Sequence, residues 1–88
     1  MLVRYFAAAR SAAGTEEEHH HLPPGSTLDD LLTALLAVER ATPPPGTPPL
    51  ARILTRSSFL RNETAVRDRS MTLGTDDTID ILPPFAGG

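Results

Sequence analysis

Five leucines set the problem that this chain has to solve. Leu28, Leu31, Leu32, Leu35 and Leu36 recur at helical spacing and build one apolar stripe, the clearest periodic element in the sequence. Ser26 or Thr27 can serve as N-cap, and Asp29 and Asp30 then lie in the first turn, where negative charge suits the helix dipole. The spacing predicts a helix over about 28–40. It is stopped by Pro43-Pro44-Pro45-Gly46-Thr47-Pro48-Pro49, because proline lacks the amide donor and clashes with the preceding turn. That run reads as an exposed internal loop of polyproline II character, too short to separate a pair of domains. With 88 residues the chain allows one domain, near the lower limit for folding alone. One amphipathic helix must therefore find its cover in short elements on either side.

Those elements have strand character. Leu2 to Ala8 is apolar, with Val3, Tyr5 and Phe6, and reads as a strand. Ala8 to Ala13 favours a helical turn that stops at Gly14, a plausible C-cap. Glu16 to Leu22 is a weak strand candidate, ended by Pro23-Pro24-Gly25. After the proline loop, Leu50 to Leu54 reads as another helical turn with Leu50, Ile53 and Leu54 facing inward. Ser58 to Arg61 and Ala65 to Arg67 read as two short strands around Asn62-Glu63-Thr64. Gly74-Thr75-Asp76-Asp77 reads as a turn into a last strand, Thr78 to Leu82, with Ile79 and Ile81 on one face. A helix near the middle of a small sheet-forming chain predicts an α+β domain with one main helix packed across a mixed sheet of four to five strands. If the first and last strands pair in parallel at the centre, the result is a β-grasp. The expected organisation is a domain over 1–82 and a flexible tail over 83–88.

Composition narrows the functions. A domain this small has little room for a deep cleft, so binding or carrying is more natural than self-contained catalysis. There is no cysteine, hence no disulfide and no thiolate metal site. The net charge of -3 argues against nucleic acid as the main partner. All eight basic residues are Arg, so no side-chain amine is present to accept an isopeptide bond or form a Schiff base. No apolar run approaches membrane-span length, and Arg4 and Arg10 interrupt the Ala-rich start, which lacks the core of a signal peptide. A cytoplasmic location without membrane contact is expected.

The end of the sequence is where chemistry is expected. Pro83 and Pro84 cannot pair in a ladder, so they end the strand and stiffen the exit. Phe85 is one of four aromatic residues and falls where no core is expected. Ala86, Gly87 and Gly88 carry almost no bulk and can thread a narrow channel. A Gly-Gly ending alone is as well explained by a frayed terminus. The whole arrangement is more specific: an apolar strand, two prolines, one aromatic residue, then Ala-Gly-Gly.

With these residues the chain resembles the small subunit of molybdopterin synthase, within the ubiquitin-like ThiS/MoaD-type sulfur-carrier family. Arg4-Tyr5-Phe6-Ala7-Ala8-Ala9-Arg10 followed by Gly14 is similar to the family's first strand and helical turn. Leu82-Pro83-Pro84-Phe85-Ala86-Gly87-Gly88 is similar to its Pro-Pro-x-x-Gly-Gly ending. Gly74 with Asp76-Asp77-Thr78-Ile79 is similar to its turn into the last strand. Phe85 stands where commoner members carry a smaller aliphatic residue, and Arg61-Asn62-Glu63 matches the usual Val-Asn-Gly-type hairpin imperfectly. The proline loop and the triple His are not family features.

The resemblance implies a carrier without enzymatic activity of its own and without a bound cofactor. An E1-like adenylyltransferase spends ATP to convert the Gly88 carboxylate to an acyl-adenylate, and a sulfur donor enzyme supplies the sulfur of a terminal thiocarboxylate. The tail then enters the molybdopterin synthase large subunit and gives sulfur to a pterin precursor. Gly88 and Gly87 are the implied reacting end; Pro83, Pro84, Phe85 and Ala86 are the implied partner-binding segment. Other sulfur acceptors (thiamine thiazole, a cysteine-forming pathway or a transfer RNA base) and a ubiquitin-like modifier remain open, as does a β-grasp binding module with an inert tail.

Other features have plainer readings. On a strand only His19 and His21 of the triple His share a face, and two imidazoles are too few for a closed zinc site, so no metal is expected. Glu16-Glu17-Glu18 and Asp76-Asp77 read as solvated charge rather than a magnesium site or a catalytic pair. Arg4, Arg10, Arg61, Arg67 and Arg69 read as ordinary surface partners of carboxylates rather than a basic patch.

Overall fold

Thr27 closes the start of the long helix. Its hydroxyl accepts from the Asp30 amide at 3.2 Å, while the Asp30 carboxylate accepts from the Thr27 amide at 2.9 Å, and this capping box satisfies two otherwise orphaned donors. The computed structural model describes residues 1–84. The elements run β1 (Leu2–Tyr5), α1 (Ala7–Ala13), β2 (Glu17–His19), α2 (Leu28–Ala37), α3 (Leu50–Arg56), β3 (Ser58–Arg61), β4 (Thr64–Ala65) and β5 (Thr78–Leu82). They form a five-stranded sheet in the order β2-β1-β5-β3-β4.

The last strand occupies the middle of that sheet. It pairs in parallel with β1, Val3 against Ile79 and Tyr5 against Ile81, and antiparallel with β3, Phe59 against Ile81. Period-2 alternation turns Val3, Tyr5, Phe59, Ile79 and Ile81 to one face. There they share a core with Leu28, Leu31, Leu32 and Leu35 of α2, the alanines of α1, and Leu50, Ile53 and Leu54 of α3. The fold is the expected mixed β-grasp, and its three helices include the two predicted turns grown to seven residues each. Gly14 caps α1 with φ +78, the left-handed conformation that glycine adopts without strain.

Local departures from the sequence reading have identifiable causes. Leu36 is 49% exposed. At 100° per residue it lies at the margin of the stripe, well off the centre shared by Leu28, Leu31, Leu32 and Leu35. α2 ends at Ala37 rather than Arg40, with Val38 extended. The β3–β4 turn contains only Asn62 and Glu63, at φ +48 and +70, so β4 begins at Thr64. Positive φ at both central residues is the hairpin geometry that matches strand twist. The proline loop is not uniformly extended: Thr47 donates to the Pro44 carbonyl at 3.1 Å, with Gly46 at φ +86. Proline then glycine at the two central positions suits a type II turn.

Arg40 explains the early helix stop. Its guanidinium turns back to donate to the Leu35 carbonyl at 3.1 Å, to the Ala13 carbonyl at 3.1 Å and to both Glu18 carboxylate oxygens at 2.7 and 3.0 Å. One side chain thus serves carbonyls at the ends of two helices and fixes β2. The Tyr5 hydroxyl donates to the same carboxylate at 2.5 Å, and His20 Nε2 lies 2.9 Å from it. Glu18 is therefore a half-buried anchor and not solvated charge. Burial pushes the Glu18 carboxyl up, but hydrogen bonds from Arg40, Tyr5 and His20 outweigh it and hold the group down to about 2. Burial, and then the bond to Glu18, push the Tyr5 hydroxyl up.

Leu32 is 7% exposed, so Leu32→Ala costs about 2–5 kcal/mol in urea unfolding. Leu36→Ala costs less than about 0.5 kcal/mol, as expected of a surface change; comparable losses would contradict the assignment of the stripe's faces. The Glu18 network sets a pH window. Its folded-state value lies below the ordinary 4.5, so its stabilisation is complete above pH 4.5 and is lost as pH falls toward 2. Glu18→Gln is expected to unfold at lower urea than the parent at pH 7, by roughly 2 kcal/mol after solvent screening. The difference narrows below pH 4.5; a gap unchanged down to pH 3 would contradict the network.

Candidate functional site

The predicted tail is rooted in the central strand. Leu82, the last residue of β5, pairs with Ser58 of β3, and on the other side Tyr5 of β1 pairs with Ile81. Neighbours on both sides fix the direction in which the chain leaves the sheet. Pro83 is half-buried and Pro84 exposed. Neither proline can donate to a ladder, which is why β5 stops there. Phe85, Ala86, Gly87 and Gly88, expected to be the partner anchor and the reacting end, lie outside the described residues.

Phe6 stands beside this root. It follows Tyr5 and so lies level with Leu82, and it is 41% exposed. Ala7 then takes φ +50 to turn the chain from β1 into α1, a left-handed conformation that costs a non-glycine residue about 1 kcal/mol. A shallow recess of about 310 Å³ opens here, with Phe6, Ala7, Arg10 and Glu16 among its walls. Sequence reading placed Phe6 inside the first strand. Its place between the last ladder residue and the first helical one is the signal that could have marked it as outward-facing.

The sheet face away from the helices continues from the root. It carries half-buried Leu2, Leu60 and Leu82 around one ion pair. Arg4 donates to the two oxygens of Asp80 at 2.5 and 2.8 Å. Asp80 is only 4% exposed. A bidentate guanidinium is the geometry that holds such a carboxylate without leaving it unsatisfied. The hydrogen bond and charge of Asp80 raise the pKa of Arg4. The face thus mixes Leu2, Leu60 and Leu82 with the polar Glu17, His19, Ser58 and Thr78 around one bidentate pair at its centre.

A second node fixes where β5 begins. Asp77 accepts from the Gly74 amide at 2.7 Å, from Arg61 at 2.7 Å and from Asn62 at 2.9 Å. Asn62 in turn accepts from the Thr78 amide at 2.9 Å and donates its own amide to the Thr78 carbonyl at 2.8 Å. Burial pushes the Asp77 carboxyl up, but the bonds from Gly74, Asn62 and Arg61 leave it below the usual carboxylate range. A β-carbon at Gly74 would lie 3.3 Å from Asp77 Oδ1, so this close approach favours glycine. Asp77 is accordingly structural and buried, against the reading of Asp76-Asp77 as surface charge.

The remaining candidates separate cleanly. Arg10 pairs with Glu16 at the surface as expected, whereas Arg4 and Arg61 hold the buried carboxylates of Asp80 and Asp77. Arg69 donates to the Leu54 carbonyl and stacks 5.0 Å from the centre of the Phe59 ring. Among the described residues no group of three or more His, Cys, Asp or Glu is placed to hold a metal ion. Among them also, no helix is long and apolar enough to cross a membrane.

Known proteins share this fold. The fold is similar to SAMP1 from Haloferax volcanii, with a TM-score of 0.78 and 23% identity over 100% of this chain and 98% of that one. It is similar to another structure of small archaeal modifier protein 1 from the same organism, with a TM-score of 0.75 and 22% identity over 97% of each chain. It is similar also to a Pyrococcus furiosus chain provisionally assigned as molybdopterin converting factor, subunit 1, with a TM-score of 0.70 and 21% identity over 96% of this chain and 95% of that one. At such identities the likeness is one of fold. No curated protein sequence matches. The ThiS family model matches residues 3–88, which include both the sheet and the Pro-Pro-Phe-Ala-Gly-Gly segment; the chain belongs to the ThiS family and has its sulfur-carrier type of β-grasp fold.

Proposed function

We propose that this chain is a sulfur carrier that bears a thiocarboxylate on the Gly88 carboxyl and donates sulfur in molybdopterin synthesis, as the small subunit of molybdopterin synthase. The observation that supports it most is the placing of a Pro-Pro-Phe-Ala-Gly-Gly segment directly after the central strand of a ThiS-family domain. A domain at 1–82 then acts as a handle and 83–88 as the reach. A carboxylate is inert until it gains a leaving group. An E1-like adenylyltransferase would supply one from ATP, the carboxylate oxygen displacing pyrophosphate to give the acyl-adenylate. Sulfide-level sulfur from a donor enzyme then attacks the acyl carbon, a C–S bond forms as the C–O bond to AMP breaks, and the thiocarboxylate carries the sulfur to the large subunit. Catalysis belongs to those partners. This chain contributes a slim, stiffly rooted end and a docking face. Zero cysteines is no obstacle, since the sulfur rides on the terminal carbon.

A second reading has an observation of its own. The likeness to small archaeal modifier protein 1 favours a ubiquitin-like modifier, which would join the same activated carboxyl to an amine of a target protein. The two readings share the adenylation step and diverge at the acceptor. Sulfur transfer to another small-molecule or transfer RNA acceptor diverges from the first at the same point.

The shared step is tested at the terminus. Deleting Gly88, or adding one residue after it, is expected to abolish ATP–pyrophosphate exchange with an E1-like adenylyltransferase and to leave the melting temperature unchanged; normal exchange by the deleted form would remove the mechanism.

Phe85 tests the docking. A desolvated aromatic anchor contributes about 2 kcal/mol to an interface, and a proline-stiffened approach lowers the ordering cost. Phe85→Ala is expected to weaken binding to the large subunit more than tenfold in titration calorimetry without lowering the melting temperature. A lowered melting temperature with unchanged affinity would make Phe85 structural instead.

A further inference from the structure

An activated carboxyl is a hazard to the molecule that carries it, because any amine within reach can take the acyl group. This chain has almost nothing to offer. Its eight basic side chains are all Arg. A guanidinium stays protonated at any physiological pH and does not act as an acyl acceptor. There is no cysteine to form a thioester. The α-amino group of Met1 is the one amine among residues 1–88. It donates to the His20 carbonyl at 2.7 Å, and Met1 is half-buried against the core. For attack within one chain, it also lies at the wrong end of the sheet. β1 and β5 run parallel from Leu2 against Thr78 to Tyr5 against Ile81, so Met1 precedes the start of the pair while the tail leaves from its finish.

We propose that this chain is a donor only: its activated Gly88 carboxyl forms no lasting link to another copy of the chain, and its amide products are single additions to amines of other molecules. The relevance of this rests on the terminal activation proposed above. The step that is avoided is simple acyl transfer. The amine nitrogen attacks the activated carbonyl, a C–N bond forms, the bond to the leaving group breaks, and the amine proton passes to the buffer. As a modifier, the chain would mark a target once and build no chains of itself. As a sulfur carrier, it would lose none of its charged form to self-acylation at high concentration.

The experiment installs the activation chemically, so that it does not depend on any partner. The full chain is made as an intein fusion and released with a thiol as the Gly88 α-thioester. It is concentrated at mildly alkaline pH and followed by intact mass, with and without glycinamide as a small amine. Arg52→Lys and Arg67→Lys, both at exposed positions, run in parallel. The native chain is expected to give thioester, hydrolysed chain and the glycinamide adduct. Covalent dimer should be at least tenfold scarcer than in the lysine variants, where digestion places the new link on the introduced Lys. Native dimer at a rate similar to the variants, linked through Met1, would overturn the proposal. So would variants that form no dimer while the glycinamide adduct accumulates. Failure of the adenylation reading is a separate readout, the absence of pyrophosphate exchange, and leaves this outcome interpretable.

Discussion

The parallel pairing of Leu2–Tyr5 with Thr78–Leu82 brings the two ends of the sequence into the middle of one sheet. Closing so long a loop costs conformational entropy, and burial must offset it. Val3, Ile79 and Ile81 are fully buried where the strands meet, and the leucines of α2 complete their cover. The Leu2 amide extends the pairing by donating to the Asp77 carbonyl at 3.0 Å. A tail attached to this strand is attached to the element least free to fray. That is the physical basis of the proposal that the segment beyond Leu82 adds reach to a rigid handle.

Two polar nodes hold the sheet on either side of this pairing. Glu18 and Arg40 tie β2, the end of α1 and the end of α2 to the Tyr5 hydroxyl, and so brace β1 close to where the tail departs. Asp77, Asn62 and Arg61 tie the β3–β4 hairpin to the start of β5. Each node supplies partners to groups that burial would otherwise penalise, and among the described residues Arg40 Nε is the buried side-chain donor left without one. Between them lies the Arg4–Asp80 pair at the centre of the uncovered face. Leu82 on that face is also the root of the tail, so a partner that received the tail as proposed would lie next to it.

What could be read from the sequence was what local rules govern. An N-cap at Ser26 or Thr27, the Gly14 cap, the inward residues of α3 and the limits of β5 all follow from short-range pattern. The β-grasp needed more: pattern alone left it one of several small α+β folds, and the family resemblance favoured the parallel pairing of the end strands. What escaped depends on partners far away in sequence. Arg40 reads as the tail of a helix, yet it ends the helix by bonding to Ala13 and Glu18, residues in other elements. Glu18 and Asp77 sit in acidic runs that look solvated, and only tertiary contacts distinguish them from their neighbours. Leu36 shows the limit of a stripe read by spacing alone. The Pro-Pro-Phe-Ala-Gly-Gly segment was read from its composition alone, and the family match extends over it.

The central claim is that Gly88 carries sulfur on its carboxyl. The most direct measurement is the intact mass of the chain purified from cells that co-express an E1-like adenylyltransferase and a sulfur donor enzyme, followed by fragmentation from the C-terminus. The account predicts a mass increase equal to the replacement of one oxygen by one sulfur, located on Gly88 and absent when the adenylyltransferase is omitted. An unmodified Gly88 in the presence of both enzymes, with the chain folded, would contradict it.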